Sequence, residues 1–291
     1  MQNEGVSIII TAYHTEKFIE ECLDSVASQT WFKNNDSWEI ILGIDHCEAT
    51  LEKVKEIMPK YRNLRVFYNT ENVGTYITSN TLIDKAKYAR ILRFDSDDIM
   101  KDDMVEKMML SMSTVSGCKI VKCYYKNFPA QEKKRGIDVA HGVFLCRKSI
   151  FIKYGGFMPW KCAADTEFHT RLHNEKILVI TYPIILFYRR LHETSLTKSE
   201  KTNMQSEIRK EYKKYIDNES LLHPVIKTTI TDTVEITFKE KSQIIEQVKT
   251  EEIKEEQKVF PLVLNNKPVH VKKTTPNVVR KRVKSNAYIG T

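Results

Sequence analysis

The sequence predicts an α/β domain whose mostly parallel sheet is flanked by helices, followed by a C-terminal extension. Two observations carry this. Short apolar runs rich in β-branched residues alternate with amphipathic stretches of helix length, and polar side chains gather just after each run. A third is the length: 291 residues allow one such domain and an extension beyond it.

Residues 6–12, VSIIITA, are apolar enough for a strand covered on both faces, and TEKFIEECLDSVASQT then sets Phe18, Ile19, Cys22, Leu23 and Val26 on one helical stripe. The unit repeats as WEIILGID (38–45) before ATLEKVKEIM, LRVFYN (64–69) before GTYITSNTLIDKAK, and ARILRFD (89–95). DDMVEKMMLSM reads as a helix with Asp102 or Asp103 near its start, and CKIVKCYYKNF as a strand. A strand at 140–146, a short helix and a break at Gly155-Gly156 follow, then a helix beginning near Asp165. ILVITYPIILFYRRLHETSLT predicts two short strands separated at Pro183, then a loop.

The main domain is therefore expected over residues 1–198. A polar helical extension is expected over 199–238, centred on EKTNMQSEIRKEYKKYIDN. Residues 239–291 are expected to be extended or disordered: 239–258 hold five lysines and six glutamates with little apolar repeat, and three prolines follow.

Charge sharpens this division. The formal net charge is +8, but Lys267, Lys272, Lys273, Arg280, Lys281, Arg282 and Lys284 lie in a final stretch without acids, so the first 266 residues carry only +1. A basic tail of this kind is suited to an acidic surface, a membrane or a partner protein, and no interleaved aromatics point to nucleic-acid readout. The six cysteines include no C-x-x-C pair, so neither a zinc ribbon nor a disulfide scaffold is expected, only reduced and mostly buried thiols. No apolar run has the length of a membrane span and the N-terminus lacks signal-peptide features; a cytoplasmic protein is expected, any membrane contact being peripheral.

Open α/β sheets bind ligands at the carboxyl ends of their strands, where the connecting loops leave a crevice. Thr11 and Tyr13 follow the first strand, Asp45 the second, Asn69 and Asn72 the third, Asp95 and Asp97 the fourth. The fourth strand ends in RFDSDD, and acids placed side by side repel and are costly to dehydrate, so they call for a cation.

The order of VSIIITAYHTEKFIEECLDSVASQT, EIILGID, NVGTYITSNTLIDKAKYARILRFDSDD, GGF, ADTEF and YRRLHETSLT resembles the family 2 glycosyltransferases of GT-A fold, over roughly residues 5–198. The resemblance implies a Rossmann-like GT-A sheet and an inverting glycosyltransferase. Such an enzyme moves a sugar from a nucleotide-sugar donor to a saccharide or other hydroxyl acceptor, with Mn²⁺ or Mg²⁺ bridging the donor diphosphate. It aligns Asp95, Ser96 and Asp97 with the D-x-D motif: Asp97 as the direct metal ligand, Asp95 toward the ribose or a metal-bound water, and His192 as a further metal or diphosphate ligand. It aligns Asp165 with the general base, although the acid that usually precedes it is Ala164 here, which leaves open whether Glu167 serves in its place. Thr11, Ala12, Tyr13, Asp45, Asn72 and Gly74 fall where the nucleotide binds, and Gly156 and Trp160 at the acceptor loop. A nucleotidyltransferase on a related fold remains an alternative reading of paired aspartates, disfavoured because no Gly-rich, lysine-bearing phosphate loop is present. An inactive scaffold acting through its basic tail is the other.

Overall fold

The computed structural model describes residues 4–129, 137–193, 195–218 and 228–237. Residues Met1–Lys239 form one compact unit. The charge-rich and basic tail lies outside the described residues.

The four expected strands are β1 (Val6–Ala12), β2 (Trp38–Ile44), β3 (Leu64–Asn69) and β4 (Arg90–Asp95). Their crossovers are α1 (Ile19–Ala27), α2 (Glu48–Ile57) and α3 (Thr75–Lys85). Then come β5 (Ile99–Met100), α4 (Met104–Thr114), β6 (Ile120–Phe128), β7 (Ile137–Arg147), α5 (Lys148–Tyr154), α6 (Ala164–Asn174), β8 (Val179–Arg190), α7 (Glu207–Asn218) and β9 (Thr233–Ile236). All nine strands join one sheet in the order β5-β8-β6-β7-β4-β1-β2-β3-β9. β4, β1, β2 and β3 pair in parallel, as expected. The other half is mixed: β7 runs antiparallel to both β4 and β6, whereas β8 is parallel to β6.

Alternation along each strand divides the core between two faces. Ile8, Ile10, Ile40, Leu42, Leu92 and Phe94 pack against Leu23 and Val26 of α1, Leu51 and Val54 of α2, and Met108 of α4. Ile9, Ile41 and Ile91 point the other way, toward Leu82 of α3, Phe151 of α5, and Phe168 and Leu172 of α6. All six cysteines are free and buried, in line with the sequence.

Two expectations are corrected. Pro183 does not divide two strands: β8 runs through it, because the pairing skips from Cys123↔Tyr182 to Tyr124↔Ile185 and the proline sits at that irregularity, where it owes no ladder hydrogen bond. The extension is not helical throughout and does not stand apart from residue 199. Its strand β9 pairs antiparallel with β3 and covers what would be a bare sheet edge.

Candidate active site

The carboxyl end of β4 sets the geometry. Arg93 and Asp95 share a face, and Arg93, only 4% exposed, places one terminal nitrogen 2.9 Å from Asp95 Oδ1 and 2.6 Å from the Gly142 carbonyl. Its other terminal nitrogen donates to Thr75 Oγ1 at 3.2 Å, and Thr75 in turn exchanges a 2.6 Å hydrogen bond with Thr11. Past the strand, Ser96 and Asp98 are buried while the Asp95 and Asp97 side chains stay 38% and 23% exposed, so the two acids of D-x-D open to one side. Burial raises the Asp95 pKa against the pull of Arg93, and the charges of Asp97 and Asp165 add to the rise.

Asp97 Oδ2 meets His192 Nε2 at 2.7 Å. Beneath it, Asp98 Oδ1 accepts the Arg190 backbone N–H at 2.8 Å, and Arg190 Nε donates to the Asp97 carbonyl at 2.9 Å. These two bonds lock the end of β8, and with it the approach to His192, onto the D-x-D turn. Carboxylate oxygens beside an imidazole nitrogen form a donor set that suits Mn²⁺ better than Mg²⁺, which prefers oxygen alone.

Asp165 enters from the first turn of α6, after Ala163 in a left-handed conformation at φ 64°. The buried Tyr76 hydroxyl donates to Asp165 Oδ1 at 3.0 Å. Burial and the Asp165 charge push the phenol pKa well up, so Tyr76 stays a donor at any working pH. Gly142 shows how close the two acids come. A Cβ placed there would sit 3.6 Å from Asp165 Oδ2, 3.6 Å from Asp95 Oδ2 and 3.1 Å from the Arg93 guanidinium. The glycine reaches this point through the β4–β7 register, in which Arg93↔Phe144 carries on to set Gly142 opposite Asp95; on its other side β7 bulges, Lys122 pairing with Phe144 and Tyr124 with Val139, so Ala140 to Val143 face the single residue Cys123.

Sequence reasoning missed Arg93, Tyr76, Thr75 and Gly142, and also a basic cluster beside Asp165. Lys122 is 8% exposed, and burial lowers its pKa to about 8 against the attraction of Asp165. Burial and Lys122 lower His141, while burial takes His169 down to about 3, its Nε2 standing 3.0 Å from the His141 carbonyl. The available signal was a charge inside an apolar strand, as in ILRFD and IVKCY, where a buried cation needs an acid nearby.

On the nucleotide side, Asp45 is 3% exposed and accepts from Asn69 Nδ2 and Val73 N through Oδ1 and from Gly74 N through Oδ2. Its main task is to clamp the 72–74 turn, with Asn72 Nδ2 closing onto the Asp45 carbonyl at 3.2 Å. Gly74 holds φ 89°, open to a glycine, at the start of α3. Tyr13 is half exposed with its ring 4.2 Å from that of His14, whereas Ala12 is buried and offers backbone only, its carbonyl already taken by Asp45 N.

Two acceptor expectations, Glu167 and Gly156, are corrected. Glu167 is fully buried, both its oxygens 2.9 Å from nitrogens of the equally buried Arg171, so it has no accessible atom for a sugar hydroxyl. Gly156 is buried too: its carbonyl accepts from Arg171 at 2.7 Å and its N–H donates to Thr228 Oγ1. A Cβ there would lie 2.2 Å from Asn80 Oδ1, so this glycine serves close packing. Trp160 has one face stacked on Tyr212 at 4.2 Å and 3°, with Tyr215 against it edge-on. α7 thus covers one face of the ring.

Known proteins share this fold. The mannosyltransferase PcManGT of Pyrobaculum calidifontis, solved with GDP-Man and Mn²⁺, superposes with a TM-score of 0.57 at 14% identity, covering 74% of this chain and 70% of that one. S. aureus TarS 1-349 in complex with UDP-GlcNAc gives 0.57 at 18% identity, covering 66% and 60%. At these identities the likeness establishes the GT-A fold. In sequence, glycosyltransferase AglE of Haloferax volcanii is 30% identical over 114 residues, 38% of this chain and 36% of that protein. The chain spans 30 to 40% of the length of the curated relatives it first matches. Among the described residues no helix is long and apolar enough to cross a membrane. With the parallel half-sheet and the acid-bearing β4 tip already in place, the profile described as Glycosyl transferase family 2 matches residues 7–194, and the chain belongs to that family.

Proposed function

We propose that the protein is an inverting, metal-dependent transferase that moves a sugar from a nucleoside-diphosphate donor to a hydroxyl acceptor. The observation that carries this reading is the convergence of Asp95 Oδ2 and Asp165 Oδ2 on Gly142, which brings the acid of the donor side and the candidate base to one place. The complexes of the two structural relatives, one with UDP-GlcNAc and one with GDP-Man and Mn²⁺, support a nucleotide-sugar donor.

Asp97 and His192, whose Oδ2 and Nε2 stand 2.7 Å apart, would hold the divalent ion with Asp95 beside them on the same turn, and the ion would neutralise charge on the departing diphosphate. The chain's own residues do the rest. Arg93 fixes the Asp95 rotamer from below, Tyr76 occupies Asp165 Oδ1, and Oδ2 is left to take the proton from the acceptor hydroxyl. A base facing the sugar from the side opposite the leaving group gives inversion at the anomeric carbon. Tyr13 offers a stacking face to the base, and the Asp45-clamped turn at Gly74 allows close backbone approach. Lys122 and His141 lie on the Asp165 side, where burial and the Lys122 charge keep His141 neutral.

The test is nucleoside diphosphate release from UDP-, GDP- and dTDP-sugars with Mn²⁺, with and without chelator, and the anomeric configuration of any product by NMR. Release that a chelator abolishes, with an inverted product, is expected. Pyrophosphate release from a nucleoside triphosphate, or a retained configuration, would overturn the proposal.

A further inference from the structure

His14, Glu16 and Cys47 are not used in the chemistry above. Their ligating atoms, an imidazole nitrogen, a carboxylate oxygen and a thiol sulfur, all lie within 4.8 Å of one another. They come from two loops, one after β1 and the other just before α2. The Cys47 Sγ to His14 Nδ1 distance is 3.5 Å. A tetrahedral zinc with Zn–S of about 2.3 Å and Zn–N of about 2.0 Å requires about 3.6 Å between those atoms. Two of the three ligands therefore already stand at the separation the ion imposes.

A second layer organises them. The fully buried Thr50 hydroxyl lies 3.2 Å from Glu16 Oε2 and 3.3 Å from Cys47 Sγ, and accepts the Thr15 N–H at 3.2 Å. Such outer contacts fix ligand rotamers in metal sites. His14 also holds φ 52°, a left-handed conformation that non-glycine residues rarely adopt and that turns its ring toward the thiol.

We infer that His14, Glu16 and Cys47 form a second metal site, selective for a thiophilic divalent cation of the zinc type, which ties the β1–α1 loop to the start of α2. Three protein ligands leave a fourth position for water. Binding displaces the Cys47 thiol proton to solvent, so the thiolate carries the ligand charge and uptake weakens as pH falls. A thiolate ligand separates this site from the D-x-D turn, whose donors are oxygen and imidazole alone. The inference does not rest on the transferase reading.

The full chain, stripped with chelator under reducing conditions, is titrated with zinc, and with Co²⁺ as a spectroscopic probe. One zinc equivalent is expected, together with a thiolate-to-cobalt charge-transfer band. Cys47→Ser and His14→Asn should both lose the band and weaken zinc at least about tenfold, and Thr50→Val should weaken it by about 10- to 100-fold through ligand disorder. Asp97→Asn should leave band and zinc unchanged. No equivalent, a band that survives Cys47→Ser, or a zinc site lost only in Asp97→Asn would each overturn the assignment. His14 is exposed, so His14→Asn is tolerated by the fold and carries the test even if Cys47→Ser proves unstable.

Discussion

Replacing Lys122 by Met should stabilise the protein, and by an amount that depends on pH. Burial lowers the ammonium pKa from 10.5 to about 8, with Asp165 opposing the shift. At about 1.4 kcal/mol per tenfold change in proton affinity, the folded state holds that proton about 3 kcal/mol more weakly than the unfolded chain. Below pH 8 both states are protonated and the whole cost is borne. Between 8 and 10.5 the unfolded state binds more protons, so stability rises with pH, and above 10.5 both are neutral and no cost remains. Methionine keeps most of the apolar stem without the charge. The measurement is urea unfolding of both proteins from pH 7 to 10.5 in chelator, so that groups common to the two cancel. The stability gain of Lys122→Met should shrink by about 3 kcal/mol across that range. A gain that does not change with pH would show that Lys122 is solvated in the folded protein and that no buried cation flanks Asp165.

Other substitutions separate chemistry from architecture. Asp165→Asn should leave nucleotide-sugar affinity near that of the parent while turnover falls by about 10²- to 10⁴-fold, the range general bases contribute; near-normal turnover would remove Asp165 as the base. Glu167→Gln should cost about 3–5 kcal/mol in urea unfolding, because it strands the buried Arg171 charge, whereas loss of turnover without loss of stability would restore an acceptor role. Gly156→Ala should lower the melting temperature, since its Cβ would meet Asn80 Oδ1 at 2.2 Å and break the pair of bonds from Asn80 to Phe157. An unchanged melt would mean that the loop yields easily.

The parallel half of the sheet was legible because its central strands β1 and β2 are buried on both faces and read as mostly apolar runs, VSIIITA and WEIILGI. β9 was not, because Thr233–Ile236 is short and polar: its pairing comes from the exposed edge of β3, far away in sequence, and not from any apolar pattern of its own. Pro183 misled for a related reason. A missing N–H breaks a strand only where the ladder needs it, and the β6–β8 register happens to skip there.

The site divides along the same line between local and long-range information. Asp95 and Asp97 stand out in sequence because their acids follow an apolar run immediately, and Asp165 because it opens a helix. What turns these acids into one site is the pairing of β4 with β7, whose register from Arg90↔Arg147 to Arg93↔Phe144 carries on to set Gly142 opposite Asp95. Any residue with a side chain at that place would set its Cβ 3.1 Å from the Arg93 guanidinium and 3.6 Å from an oxygen of each carboxylate. That register joins strands distant along the chain, so no window of sequence reveals it. Lys122 and Arg93 belong to the same argument. Both are charges inside otherwise apolar strands, Arg93 answered by Asp95 two residues on and Lys122 by Asp165 at the start of α6, so an unexplained charge in a buried strand is itself a pointer to the acid it answers.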